Sequence, residues 1–112
     1  MSFESWTKIN NELLGDRALM HIISSENITV GKVEIMDLVD LPTHSHINEQ
    51  ITIVTEGEMN IQLSTVEKIV RKGEVCIIPA NISHSVKILK TPFKSFDIFY
   101  PIRENFTKSI EK

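Results

Sequence analysis

The stretch Thr43-His44-Ser45-His46-Ile47-Asn48-Glu49-Gln50, running on into Ile51-Thr52-Ile53-Val54 and Gly57, decides how this chain is read. In an extended segment alternate side chains share a face, so His44 and His46 point the same way and Gln50 keeps their parity. Imidazoles and a side-chain amide oxygen are ligands for a borderline transition metal. A second stretch, Gly73-Glu74-Val75-Cys76-Ile77-Ile78-Pro79-Ala80-Asn81-Ile82-Ser83-His84, supplies another imidazole. Three of the four histidines therefore fall in two short segments. The other, His21 in Leu19-Met20-His21-Ile22-Ile23, has no partner in the sequence and is assigned no ligand role.

Working outward, the chain reads as short strands from Ala18 onward: 19–23, 29–36, 50–55, 60–64, 67–70, 75–78, 85–89 and 93–100. Turn signals separate them at Glu56-Gly57-Glu58, Arg71-Lys72-Gly73-Glu74, Pro79-Ala80-Asn81 and Lys90-Thr91-Pro92. Many short strands with close turns predict an all-β antiparallel sandwich or barrel around a small cavity. Alternation puts Thr52 and Val54 on the face of Gln50, and Val86 and Ile88 on that of His84. In the last strand Ser95, Asp97 and Phe99 share one face, and Phe96, Ile98 and Tyr100 the other. Both faces carry apolar side chains, so one is expected to face the cavity. The other is expected to lie under the N-terminal arm or a second subunit, which predicts a homodimer.

Length and composition bound the rest. A chain of 112 residues is one domain, 1–112, long enough for a core without disulfides. It divides into an N-terminal arm or short helix (1–17), a barrel (18–100) and a C-terminal tail (101–112). Net charge of −3 gives no reason to expect nucleic acid or an anionic membrane surface. The N-terminus lacks the apolar stretch of a signal peptide, and no apolar run approaches membrane-spanning length, so the expected location is the cytoplasm. Three Asn-x-Ser/Thr sites, at Asn27, Asn81 and Asn105, then carry no meaning. The single cysteine, Cys76, sits in an apolar run and reads as a buried structural thiol.

The two histidine segments resemble the two motifs of the cupin family. The first motif has two histidines two apart, a Glu or Gln after a short spacer, then a glycine seven residues beyond: His44, His46, Gln50 and Gly57. The second runs glycine, proline, histidine: Gly73, Pro79 and His84. Leu38, Asn81 and Ile88 depart from the pattern, and none of them removes a ligand. The resemblance implies a small double-stranded β-helix, the jelly-roll barrel, holding one divalent metal through His44, His46, Gln50 and His84. Glu49 and Gln50 are adjacent and of opposite parity, and the family spacing to Gly57 favours Gln50. Three imidazoles and an amide are neutral, so the ion keeps its full charge. Such a set suits Fe, Ni, Co, Mn or Zn without discriminating among them.

The closing segment Asp97-Ile98-Phe99-Tyr100-Pro101-Ile102-Arg103-Glu104-Asn105-Phe106 is similar to that of the pectin-degradation cupins that linearise 4,5-unsaturated uronates. That resemblance implies an isomerase-type ring opening of a sugar acid, with Asp97 and Phe99 lining the substrate site. It implies the metal as Lewis acid and Asp97 as general acid/base. Arg103 is a candidate for holding a substrate carboxylate bidentately, or for a surface or inter-subunit ion pair. Ile53 stands where the family usually has an aromatic residue. Two other readings remain open: a small quercetinase-like dioxygenase, and a non-enzymatic cupin binding a metal or small molecule.

Overall fold

A computed structural model of the chain describes residues 1–104. Asn105 and Phe106 of the closing segment, with the Asn105 glycosylation pattern, lie outside the described residues. The elements are β1 (Thr7–Ile9), a 3-10 turn (Glu12–Leu14), β2 (Ala18–Ser24), β3 (Thr29–Ile35), β4 (Asp40–His44), β5 (Glu49–Leu63), β6 (Val66–Arg71), β7 (Val75–Ile78) and β8 (His84–Tyr100). All pairings are antiparallel. No helix among the described residues is long and apolar enough to cross a membrane.

Two long strands organise the barrel. β5 pairs with β8 from Glu49↔Tyr100 to Leu63↔His84. The first half of β5 and the second half of β8 are flanked by β7 and β3, and β2 and β1 continue that layer outward from β3. The other halves are flanked by β6 and β4. One pair of strands thus belongs to both layers of a jelly roll. The change of layer occurs where the register slips between Val54 and Met59.

This corrects the sequence reading at two places. Glu56-Gly57-Glu58 and Lys90-Thr91-Pro92 are not turns between strands but facing bends inside β5 and β8, with Glu58 opposite Lys90 and Glu56 opposite Lys94. Gly57 has φ 81°, and a Cβ there would lie 2.6 Å from the carbonyl oxygens of both Lys90 and Pro92. Only glycine fits that approach. The slip also resets the parity of burial. Thr52 and Val54 point inward before it, and Met59 and Ile61 after it. On β8, His84 and Ile88 are buried before the bend, and Phe93, Ser95 and Phe99 after it.

Two further differences concern shorter elements. β4 is absent from the sequence reading because Asp40-Leu41-Pro42-Thr43-His44 has no alternation and contains Pro42, which an edge strand tolerates. Residues 3–14 are neither one helix nor a plain arm. Thr7–Ile9 pair with β2 at the sheet edge, and Ile9 and Leu14 are buried in the core. Trp6 then lies against Phe96, with ring centroids 6.4 Å apart, under the Lys32 ammonium. The arm therefore covers part of the outer face of β8, while Tyr100 stays exposed.

Candidate metal centre and cavity

The inward faces enclose a cavity of about 480 Å³. One end is apolar, lined by Ile9, Leu14, Met59, Ile61, Ile88 and Phe93. The other end carries His44, Gln50, Thr52, His84, Asp97 and Arg103.

At the polar end the donor atoms of His44, His46 and His84 all lie within 4.8 Å of one another. His44 closes β4 and pairs directly with His84, which opens β8. His46 sits in the following loop, anchored by its carbonyl, which accepts from the Asn81 N–H at 2.8 Å. Each ring faces a main-chain carbonyl through Nδ1: His44 to Pro42, His46 to Asn48 and His84 to Ile82, all at 2.9 Å. A nitrogen facing a carbonyl must donate, so all three Nε2 atoms are left with lone pairs.

Gln50 completes the group. Asp97 Oδ1 accepts from the Thr52 hydroxyl at 2.8 Å, which uses the only hydrogen that hydroxyl has. Thr52 Oγ1 therefore accepts from the Gln50 amide nitrogen at 2.8 Å, and this fixes the amide so that Oε1 faces His46 Nε2 at 3.1 Å. Two acceptors facing each other need a cation between them. Protonating His46 would supply one, but burial and the nearby Arg103 charge hold that ring down to a pKa of about 4. A divalent ion bound here would satisfy both atoms. Donors about 2.1 Å from one ion and at right angles lie about 3 Å apart, which the 3.1 Å separation fits. Glu49, the neighbour on the other parity, is exposed and pairs with Tyr100.

Beyond Gln50 the same hydrogen-bond chain ends on Asp97. Burial pushes this carboxyl up to a pKa of about 6, against the lowering effects of Thr52, Arg103 and Ser95. It is half-buried and lines the cavity. Phe99 is buried beside it on β8 and meets His46 edge-on at 5.8 Å between centroids. The Arg103 guanidinium carbon lies 4.9 Å over the Phe99 ring. His44, Gln50 and His84 thus share one cavity with Asp97, Phe99 and Arg103, and His46 joins them through the histidine cluster and its contacts with Gln50 and Phe99.

Elsewhere, His21 is half-buried on β2 opposite Lys32, away from the cluster. Cys76 is buried on β7, and burial raises its pKa. Thr52 and Asn48 carry no motif signal. The clue available for Thr52 was its parity with Gln50.

A cupin domain model matches residues 34–99, more than half of the chain. The chain belongs to the cupin family. Solved cupin structures share the fold over nearly its whole length. KdgF from Halomonas sp. is 17% identical with a TM-score of 0.74, covering 91% of this chain and 92% of that one. An RmlC-like cupin from Shewanella frigidimarina is 23% identical at 0.74, covering 94% and 93%. Oxalate decarboxylase from Bacillus subtilis, described with Mn(II) centres, is 14% identical at 0.76, covering 94% of this chain and 30% of that one. No curated protein matches the sequence.

Proposed function

We propose that this cupin is a metal-dependent isomerase that opens the ring of 4,5-unsaturated monouronates to linear keto-deoxyuronates. The observation that carries the reading is Asp97: a carboxyl facing the cavity, raised to about 6 and joined to the metal-ligand group through Thr52 and Gln50. A carboxyl with that pKa both takes up and gives back a proton near neutrality. The resemblance of the closing segment supports the substrate class.

Substrate and product are isomers, so the chain must only move a proton. Asp97 accepts it from the anomeric hydroxyl as the bond from C1 to the ring oxygen breaks, which leaves an aldehyde at C1 and an enolate at C5. Asp97 then delivers the same proton to C4, and the enolate collapses to the ketone. Bound at the histidine end, a dication would supply Lewis acidity toward substrate oxygens. Arg103 holds the substrate carboxylate, and Phe99 forms an apolar floor that keeps water from Asp97. Ile51, Ile53, Val75, Ile77 and Tyr100 form an outer apolar face on which a second copy docks, and light scattering measures that association.

Turnover is read as loss of the ultraviolet absorbance of the conjugated double bond. Asp97→Asn keeps fold and metal content and lowers turnover by on the order of a hundredfold or more. Metal-loaded wild-type protein that leaves the absorbance at its uncatalysed rate overturns the reading. The apolar depth of the cavity favours one competitor, an oxygen-using conversion of a chelating substrate with an apolar body. A strict oxygen requirement with such a substrate would establish it instead.

A further inference from the structure

Asn48, between the histidine pair and β5, is buried to 4% exposure although its side chain is polar. Its amide nitrogen donates to two successive carbonyls, Pro101 at 2.6 Å and Ile102 at 3.1 Å. Both amide hydrogens are thereby spent on one segment. Its own carbonyl accepts from His46 Nδ1 at 2.9 Å, the bond that leaves Nε2 of that ring free. On the far side of the same segment the Arg103 N–H donates to Thr29 Oγ1 at 2.9 Å, and Thr29 is fully buried and hydrogen-bonded to Ser24. Residues 101–103 are thus pinned between the start of β5 and the start of β3. From that anchored backbone the Arg103 side chain turns back over Phe99. Its charge acts on Asp97 and on both His46 and His84.

We propose that Asn48 is a positioning residue that ties the metal-ligand loop to the cavity's cation. Its main chain orients His46, and its side chain holds the segment that delivers Arg103. The catalytic meaning of the link rests on the isomerase reading, in which Arg103 holds the substrate carboxylate. The mechanical link rests on the hydrogen bonds alone. The two roles use different atoms, so substitution separates them. Asn48→Asp keeps the shape but turns the two donors into acceptors facing carbonyl oxygens, while the main-chain bond to His46 survives. Arg103 should be displaced and the metal retained.

The test compares N48D, N48S, R103Q and the N48D/R103Q double variant with wild type. N48S is neutral, so it removes the donors without adding a charge and covers the case in which N48D fails to fold. The first readout is the carbon-13 NMR titration of the Asp97 carboxyl in metal-free protein. Among the described residues, the groups facing that carboxyl are the Thr52 hydroxyl from β5, the Ser95 hydroxyl on β8, the Cys76 thiol from β7 and the Arg103 guanidinium. Only the last depends on Asn48 in this scheme. Asp97 should titrate higher in N48D and N48S by as much as in R103Q, and the double variant should add nothing. A general loss of packing would admit water and move that value down, opposite to the shift expected from losing the Arg103 charge.

The second readout is the affinity of metal-loaded protein for D-galacturonate, a stable carboxylate sugar. It should weaken about ten- to a hundredfold in each single variant, the usual effect of losing a hydrogen bond to a charged group, with metal stoichiometry unchanged. An Asp97 titration that moves in R103Q but stays put in both Asn48 variants overturns the proposal. Wild-type protein that ignores galacturonate while the titration shifts as described overturns the substrate reading and upholds the link.

Discussion

One pair of strands builds two unlike walls. Before the bend, β5 and the matching half of β8 contribute Gln50, Thr52, Ser95 and Asp97 to the cavity, joined side chain to side chain. After it, the same strands contribute Met59, Ile61, Val86 and Ile88, and His84 at the very start of β8 is the one polar side chain that this half brings to the cavity among the described residues. Backbone pairing is the same on both sides of the bend. The hydrogen-bond chain from Gln50 to Asp97 therefore belongs to one half of the strand pair, His84 reaches the histidine cluster from the start of the other, and Gly57 marks the bend between the halves.

Removing the bend should do the most damage. Gly57→Ala puts a methyl group against two carbonyl oxygens at a positive φ, which cannot be relieved by a side-chain rotation. We expect a loss of about 4 kcal/mol or more, enough to abolish the cooperative unfolding transition by circular dichroism. Ile61→Ala attacks only the apolar wall. It should cost about 2–5 kcal/mol in a denaturant melt and leave metal stoichiometry untouched. A metal content that falls in parallel with stability would show that the two walls are not independent.

Thr52→Val attacks only the polar wall, at almost constant volume. It frees the Gln50 amide to rotate and takes from Asp97 a hydrogen bond that lowers its pKa. Metal affinity should fall about ten- to a hundredfold, as read by competition with a chromophoric chelator, and Asp97 should titrate above its wild-type value.

The smallest effect is a change of slope with pH in the metal-free protein. His46 is depressed from 6.5 to about 4, so between those values the native state binds fewer protons than the unfolded chain, and stability falls as pH falls. Asp97 is raised from 3.8 to about 6, so the native state binds more protons there, and stability rises as pH falls. The two oppose each other across nearly the same window. In Asp97→Asn only the histidine contribution remains, and denaturation midpoints measured between pH 6 and pH 4 should drop more steeply than in wild type.

Much of this was legible in the sequence, and the rest was not for identifiable reasons. Alternation grouped Gln50 with Thr52 and Val54, His84 with Val86 and Ile88, and Ser95 with Asp97 and Phe99, because a half-buried strand enforces a period of two, but it assigned no face to Met59 and Ile61. Continuity through Gly57 and Pro92 was hidden, since a bulge and a turn use the same residues and only the partner strand distinguishes them. β4 gave no alternation because it lies on an edge, with Pro42 in it. The family spacing to Gly57 favoured Gln50 over Glu49, its neighbour of opposite parity, and Gln50 lines the cavity while Glu49 is exposed. Asn48 was invisible because its partners are 53 and 54 residues away. The approach of Arg103 to Phe99 was hidden for the same reason. Its backbone anchor is Thr29, 74 residues away in the sequence.

The pairing of His44 with His84 has a thermodynamic corollary. Those imidazoles meet only when the edge strand and the long strand have closed the segment of thirty-nine residues between them. Full coordination would then be a property of the native state alone, and a bound ion would act as a linked ligand of folding. Its contribution grows logarithmically with free ion, about 2.7 kcal/mol at a hundredfold excess over Kd. Melting temperature followed against free Mn, Fe, Co, Ni or Zn therefore ranks the five by affinity with no substrate in the cell, and a metal that leaves the melt unmoved is not the one this site was built to hold.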